Sequence, residues 1–524
     1  MEKGQIVEMI IEDISDQGMG IGKADGFTVF VNNVVPGDRV RATLTKVKKN
    51  YAFGRTEEIL EMSKKRVEPF CPYFGQCGGC VYGNVSYEAQ LKIKEKQVRD
   101  KLQRLGGLEE PITRPIVGMA GFSVTMDENS AGNLAVPGPF RYRNKAEMPV
   151  STGGLITRKG GIAEPIHEPR IGFFRSKTHN VVDCRDCLLQ AETAVAAADA
   201  LRKFMEEDHI ISYDPRWEKG LMRHLIVRTA MGTGEVMVIL VVNGKTIPNV
   251  QKLVTLLDDA ISAIPAYEEG SFKGREFSLE SVVINVNKKK TSQILGDECI
   301  TVAGKPTITE EAGGLTFEIS PLSFYQVNSY QMVGLYEKVL EYADLKGDET
   351  VLDLYCGVGT IGLFAAKDML KKGGKGMVVG IESVKGAVLD ANRNAVLNGI
   401  VNARYILGKA EEELPKLVGM VSDEVSSDDD SLKISKAHVA ILDPPRAGCD
   451  ERLLEATVAV SPEKIVYVSC DPATMARDVK WLTQNGYDFV EATPWDMFPW
   501  TGAVETVALL RRKKACFRNN VGYL

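Results

Sequence analysis

Two residues near the carboxyl end of this 524-residue chain have the types that a covalent mechanism needs. Cys470 lies in Ser469-Cys470-Asp471-Pro472, directly after the apolar run KIVYV, and Glu505 lies in GAVETVALLRR. A thiolate can add to an electron-poor carbon, and a carboxyl group among apolar neighbours, its pKa raised by burial, can take up a proton. Taken singly, Cys470 reads as a small buried hydrophobe and Glu505 as a surface acid on an edge strand. Their joint presence in strand-like contexts favours a nucleophile and a general base.

Three acids stand at comparable places. Val351 to Leu363 reads VLDLYCGVGTIGL, an apolar strand entering a glycine turn and then a helix, with Asp353 four residues before the turn. Glycines let the backbone approach a ligand and the helix start offers free amides. Gly357, Gly359 and Gly362 also match G-x-G-x-x-G, so the turn by itself admits a dinucleotide and a dehydrogenase. Glu382 ends the next strand, VVGIE, where an acid can accept hydrogen bonds from both hydroxyls of a ribose. Asp443-Pro444-Pro445-Arg446 follows HVAIL. Ligands of open α/β sheets bind at the carboxyl edge on which these residues are predicted to lie.

A third constellation is Cys71, Cys77 and Cys80 in CPYFGQCGGC, whose spacing lets one loop wrap a metal centre. A fourth thiolate is available from Cys184 or Cys187 in VVDCRDCLLQ, and four thiolates suit zinc or an iron–sulfur cluster equally well.

The elements that must position these groups follow from patterning. The first sixty or so residues alternate apolar and polar positions between turn signals such as Asp25-Gly26 and Pro36-Gly37-Asp38, which predicts a small β-barrel. Tyr87 to Leu105 is periodic like an amphipathic helix. From about Phe324 the runs VLDLYC, VVGIE, HVAILDPP and KIVYVSC alternate with helical patterns, which predicts βαβ units and a mainly parallel sheet. The fold class is therefore multidomain α/β. We expect an OB-like β-barrel over 1–62, a central α+β domain with the cysteine loop over 63–86 and 106–320, and a Rossmann-like domain over 87–105 and 321–524. Gly121 to Gly138 reads as an inserted loop and Val421 to Leu432 as a disordered one.

The net charge of -6 argues against a uniformly basic nucleic-acid binder. The charge is uneven, however: Arg39 to Arg66 is strongly basic, and Glu411 to Asp430 holds most of the acid excess. A basic face is thus compatible with the composition. Arg39 to Arg55 and Arg141-Tyr142-Arg143-Asn144-Lys145 offer cations and aromatic groups for phosphate contact and base stacking. The amino terminus lacks the apolar core of a signal peptide and no apolar run is long enough to span a bilayer, so we expect a cytoplasmic protein.

Together, VLDLYCGVGTIGL, ILDPPRAG, VSCDPATMARD and VETVALL closely resemble the RNA uracil-5-methyltransferases, bacterial enzymes of ribosomal or transfer RNA, over nearly the whole chain. The first segment resembles the TRAM domain, an RNA-binding barrel. The resemblance implies a methyl transfer from S-adenosylmethionine to carbon 5 of a uridine, with Cys470 as nucleophile and Glu505 as base. It places Gln326 of SFYQVN, Tyr355, Glu382 and Asp443 at the donor, together with Asp353 and the turn glycines Gly357 and Gly359. Phe324, in the same SFYQVN motif, is placed beside the target base. The resemblance further implies a [4Fe-4S] cluster on Cys71, Cys77, Cys80 and Cys187. Members with this cysteine set mostly modify 23S ribosomal RNA, whereas the typical bacterial transfer-RNA enzyme lacks it; transfer RNA is the alternative partner. One departure is Ala503, where many members carry a His shortly before the Glu. A catalytically silent RNA-binding protein would keep the barrel and the cysteines without needing the Cys470 and Glu505 pair.

Overall fold

A computed structural model describes residues 1–119, 139–152, 155–157, 163–165, 168–267, 271–290, 293–419, 434 and 436–514. The loops expected at 121–138 and 421–432 lie outside the described residues. The chain divides into two units, one of Met1–Lys94, Gly118–Val333 and Asp496–Ala503, the other of Glu95–Val117, Gly334–Trp495 and Val504–Leu524.

In the first unit, strands β1 (Ile6–Ile14), β2 (Gly20–Ala24), β3 (Phe27–Val31), β4 (Arg39–Val47) and β5 (Tyr51–Glu61) close into a barrel in the order β1-β2-β3-β5-β4. The two-residue side-chain period puts Val7, Met9 and Ile11 of β1 inside with Val40, Ala42 and Leu44 of β4. Asp25 and Gly26 turn between β2 and β3 with φ of 48° and 79°, the left-handed pair that matches the twist of a two-residue hairpin. Helix α1 (Tyr87–Arg104) follows the cysteine loop.

The rest of this unit is a seven-stranded sheet. Its strands are β6 (Lys145–Thr152), β9 (Pro169–Phe174), β10 (Val181–Asp183), β11 (Met222–Thr229), β12 (Glu235–Val242), β13 (Ser278–Val286) and β14 (Glu298–Gly304), in the order β10-β9-β6-β11-β12-β13-β14. The hairpin β7 (Leu155–Thr157) and β8 (Ala163–Pro165) lies within the β6–β9 connection, and β15 (Ile308–Ala312) pairs with β16 (Leu315–Ile319). Helices α2 (Glu192–Glu207) and α3 (Val250–Ser262) bury Ala197, Leu201, Phe204, Leu253 and Leu257 against the sheet residues Leu225, Val238 and Val282. Helix α4 (Ser329–Ala343) leads out of the unit.

The segment Asp496–Ala503 is held in this first unit by buried polar groups. Lys94 and Asp496 form an ion pair of 2.6 Å with both side chains fully buried. Tyr87 donates to the same carboxylate at 2.8 Å, and Lys94 also donates to the Phe498 carbonyl at 2.9 Å. Burial lowers the Lys94 pKa and the Asp496 charge opposes that shift, and removing either partner would leave the other buried without its counterpart.

The second unit alternates strand and helix: β17 (Thr350–Leu354), α5 (Thr360–Lys371), β18 (Met377–Glu382), α6 (Lys385–Leu397), β19 (Ala403–Leu407), α7 (Ala410–Leu417), β20 (Val439–Leu442), α8 (Glu451–Ala459), β21 (Lys464–Ser469) and α9 (Pro472–Gln484). Strands β22 (Tyr487–Trp495) and β23 (Glu505–Arg512) complete the sheet in the order β19-β18-β17-β20-β21-β23-β22. The first five strands are parallel, and β23 enters antiparallel between β21 and β22. Their apolar runs are continuous because helices cover both faces of a parallel sheet. Leu352, Ile381, Leu442, Ile465 and Tyr467 accordingly pack with Leu453, Met475 and Val479. Strand order reverses between β17 and β20, and a ligand crevice opens at such a switch point. Among the described residues no helix is long and apolar enough to cross a membrane.

Candidate active site

Register brings Cys470 and Glu505 together. In the antiparallel β21–β23 ladder Ser469 faces Thr506, so the next step along each strand sets Cys470 opposite Glu505. Glu505 is not on an edge: it faces Trp495 of β22 on its other side and is only 2% exposed. Asp471 caps α9, accepting from the amide of Ala473 at 2.8 Å, which fixes the turn carrying Cys470.

The two groups feel one another. Burial raises the Cys470 thiol to about 11, with the charges of Glu505 and Asp443 adding to the rise and Arg446 opposing it. Burial pushes the Glu505 carboxyl well up, again with Asp443 adding and Arg446 opposing. Asp443 itself is raised to about 7 by burial and by the charge of Asp353. Arg446, whose role the DPPR sequence alone does not reveal, is a cation that acts on both the thiol and the carboxyl.

The glycine turn sits at the carboxyl end of β17. Gly357 and Gly359 adopt φ of 56° and 78°, and a Cβ on Gly359 would lie 2.7 Å from the ring of Tyr405. Tyr405, buried on β19, donates to the Gly359 carbonyl at 3.3 Å and so supports the turn from below. Nothing in the sequence singled it out, because its role depends on the pairing of β18 with β19. Glu382 accepts from the Gly357 amide at 3.1 Å and from the Val384 amide at 2.8 Å, so its carboxylate stands beside the turn. Tyr355 holds a left-handed φ of 66° with its amide bonded to the Ile381 carbonyl. Asp353 is 1% exposed and takes the Gly362 amide on Oδ2 at 2.8 Å, while its Oδ1 is buried without a hydrogen-bond partner. Burial raises this carboxyl to about 7. A buried acceptor left open beside a glycine turn fits a nucleoside-bearing donor such as S-adenosylmethionine.

A clamp that the sequence did not reveal secures the DPPR loop. Asp478 of α9 accepts from the Cys449 amide at 2.8 Å and from the Tyr467 hydroxyl at 2.6 Å, and it pairs with Arg477 at 2.7 Å. Arg477 donates to the carbonyls of Ala447 and Cys449. Both residues occur in the motif VSCDPATMARD, but only the packing of α9 shows what they hold.

Gln326 and Phe324 belong to the first unit. Gln326 is buried, with its backbone carbonyl accepting from the Asn144 side-chain amide at 2.8 Å, whereas Phe324 is 62% exposed.

The segment Arg141–Lys145 is not the stacking surface the sequence suggested. Tyr142 is fully buried with its hydroxyl donating to the Pro499 carbonyl, and Asn144 is buried as well. Arg141 pairs with Asp186 and donates to the Cys187 carbonyl. Apolar demand and backbone acceptors within the first unit outcompete solvent for these groups.

The cysteine loop folds toward the turn after β10. Each of Cys71, Cys77, Cys80 and Cys187 lies within electrostatic reach of the other three. Cys80 and Cys187 pack with Phe70, Phe140 and Trp500. Cys184 is buried and donates to the Asp186 carbonyl at 3.6 Å. Among the described residues no group of three or more His, Cys, Asp or Glu side chains is close enough to hold a metal ion.

The family model described as tRNA (Uracil-5-)-methyltransferase matches residues 286–513, and the TRAM domain model matches residues 1–56. An uncharacterized RNA methyltransferase of Halalkalibacterium halodurans is 38% identical over 98% of this chain and 98% of its own. One from Caldanaerobacter subterraneus is 40% identical over 97% of this chain and 98% of its own. The crystal structure of Pyrococcus abyssi tRNA (uracil-54, C5)-methyltransferase in complex with S-adenosyl-L-homocysteine is similar with a TM-score of 0.66 and 27% identity, covering 96% of this chain and 99% of that one. With a closed barrel before a parallel sheet that gathers a cysteine, a glutamate and a glycine turn, and with relatives matched end to end, the chain belongs to the S-adenosylmethionine-dependent RNA (uracil-5-)-methyltransferases that carry a TRAM domain.

Proposed function

We propose that this enzyme methylates carbon 5 of a uridine in 23S ribosomal RNA through a covalent adduct between Cys470 and the base. The observation behind this reading is the register that sets Cys470 opposite Glu505, with Asp443 and Arg446 acting on both. Carbon 5 of uracil is a weak nucleophile. Addition of the Cys470 thiolate to carbon 6 makes an enolate with its electron density at carbon 5. S-adenosylmethionine, when bound, supplies an electrophilic methyl group. Once carbon 5 carries that methyl, Glu505 removes the carbon 5 proton, the carbon 5–carbon 6 double bond re-forms and the thiolate departs. A carboxyl raised by burial suits this task, because a base works best with a pKa near the operating pH. Arg446 stabilises the thiolate before addition. Asp353, Tyr355, Gly357, Gly359, Glu382 and Asp443 would hold the donor, and the family resemblance assigns Gln326 to the donor and Phe324 to stacking on the extruded base.

The gathering of Cys71, Cys77 and Cys80 with Cys184 and Cys187, the last two hydrogen-bonded to one another, supports a [4Fe-4S] cluster at this loop, and the family resemblance favours Cys187 as its fourth ligand. Its role is structural, because the transfer has no redox step, and Cys184 is not a ligand. Iron and sulfide content with the visible absorption of anaerobically purified protein tests this: both fall in Cys187→Ala and persist in Cys184→Ala, and bound zinc instead would overturn it.

The cysteine set favours ribosomal RNA, which implies action in the cytoplasm. A second substrate, transfer RNA, is favoured by the likeness to the Pyrococcus abyssi enzyme. Incubation with unmodified ribosomal RNA, unmodified transfer RNA and labelled S-adenosylmethionine, followed by mapping of 5-methyluridine, decides between them. Label in 23S RNA that is lost in Cys470→Ala supports the proposal. Label in transfer RNA alone would replace the substrate and keep the chemistry.

A further inference from the structure

We infer that Arg228 and Asn144 are positioning residues that separately fix the two halves of the loop Ser320–Asn328, Arg228 the half that carries Phe324 and Asn144 the half that carries Gln326. The inference rests on the roles proposed above for those two loop residues. The loop joins β16 to α4 outside any named strand or helix, so its buried backbone carbonyls need partners from elsewhere in the first unit. Along it Ser323, Tyr325 and Gln326 are buried, while Leu322 and Phe324 stand out at 41% and 62% exposure. A ring left in water is not held by packing. Its direction is set by the backbone that carries it.

Arg228 of β11 is 4% exposed, and its Nη2 group donates to the carbonyl of Pro321 at 3.2 Å and to that of Ser323. The Ser323 carbonyl belongs to the planar peptide unit that continues into Phe324, so a fixed guanidinium on that oxygen sets the direction in which the ring leaves the loop. A charged donor makes this a stronger hold than a neutral one. Asn144, just before β6, is 6% exposed and uses both hydrogens of its side-chain amide, on the Gln326 carbonyl at 2.8 Å and on the Ser329 hydroxyl at 2.8 Å. Its backbone amide donates to the Val327 carbonyl at 2.9 Å, and its own carbonyl accepts from the Thr229 amide at 2.8 Å. The two clamps therefore rise from neighbouring strands of one sheet. Yet the carbonyls that Arg228 binds precede Phe324, and the groups that Asn144 binds begin at Gln326. Tyr325, buried between the two halves with its ring 6.0 Å from that of Phe317, is the pivot that lets one half move without the other.

Hydrogen exchange of the full chain, read by mass spectrometry on peptides covering 320–325 and 326–332, tests the division directly. Arg228→Met keeps the aliphatic stem and should speed exchange roughly tenfold in the first peptide while leaving the second unchanged. Arg228→Lys, which keeps the charge without the planar fork, should fall between Arg228→Met and the wild type. Asn144→Ala should show the reverse pattern. Methyl transfer to unmodified ribosomal or transfer RNA, with calorimetry of S-adenosylmethionine binding, reads the consequence. Arg228→Met should raise the KM for RNA roughly tenfold with the Kd of S-adenosylmethionine unchanged, and Asn144→Ala should raise that Kd roughly tenfold with the KM for RNA unchanged. Faster exchange across both peptides in either variant, unchanged exchange in both variants, or equal losses for both ligands would each overturn the two clamps. If the exchange pattern holds while Phe324→Ala leaves the KM for RNA at the wild-type value, the stacking role fails and the clamps stand. If Phe324→Ala raises that KM and exchange is not divided, the clamps fail and the stacking role stands. If no RNA accepts a methyl group, the reaction assigned above fails, and the exchange pattern alone decides the clamps.

Discussion

The Cys470 thiol should be a poor nucleophile until substrate binding changes its surroundings, and alkylation kinetics read this directly. An ordinary thiol at the reference value of 9.0 is about one-tenth thiolate at pH 8, but one raised to about 11 is thiolate about once in a thousand, a loss of about a hundredfold. A more basic thiolate is more nucleophilic, which returns about a factor of ten, so the net slowing is roughly tenfold. The diagnostic is the slope rather than the absolute rate, because partial burial also slows access. Peptide-resolved mass spectrometry after brief iodoacetamide treatment should show Cys470 modification rising about tenfold per pH unit from pH 8 to 10 without a plateau. Glu505→Gln removes a charge that raises the thiol, so the variant should react faster at pH 9. A plateau below pH 9, or slower modification in Glu505→Gln, would refute the assignment of burial and the Glu505 charge as causes.

Glu505→Gln should also accumulate a covalent protein–RNA species on a denaturing gel, since addition proceeds while proton removal stalls; Cys470→Ala should form none. Gly359→Ala forces a left-handed φ on alanine and drives its Cβ into Tyr405, so it should cost at least about 1 kcal/mol and weaken S-adenosylmethionine binding as measured by calorimetry. Lys94→Met leaves Asp496 charged and buried, and chemical denaturation should show a loss of about 3–5 kcal/mol, partly restored by Asp496→Leu in the same chain. Asp478→Asn should lower kcat for methyl transfer more than it alters melting temperature, because the change loosens the DPPR loop rather than the core; equal damage to both would reduce Asp478 to a folding role.

Much of the second unit was legible because its signals are local. VLDLYC, VVGIE, HVAIL and KIVYV are apolar runs with no alternation, and a strand covered on both faces can have no other pattern; they are β17, β18, β20 and β21. The barrel was legible for the opposite reason, since a strand with one wet face must alternate, and Asp25-Gly26 marks its hairpin by a backbone conformation few other residue pairs adopt. Residue identity likewise sufficed to name Cys470, Glu505 and the glycine turn as groups able to do chemistry. What sequence could not supply was every property that depends on register or on a distant partner. That β23 inserts between β21 and β22 makes Glu505 interior rather than an edge residue, and no local pattern encodes strand order. The burial of Tyr142, the support of Gly359 by Tyr405, the Asp478 clamp and the pairing of Lys94 with Asp496 all join residues far apart in the chain. The basic run shows the same division: composition determined that the barrel carries excess lysine and arginine, but only the tertiary structure decided which charges are neutralised by facing acids and which remain free, because a charge acts through its neighbours in space.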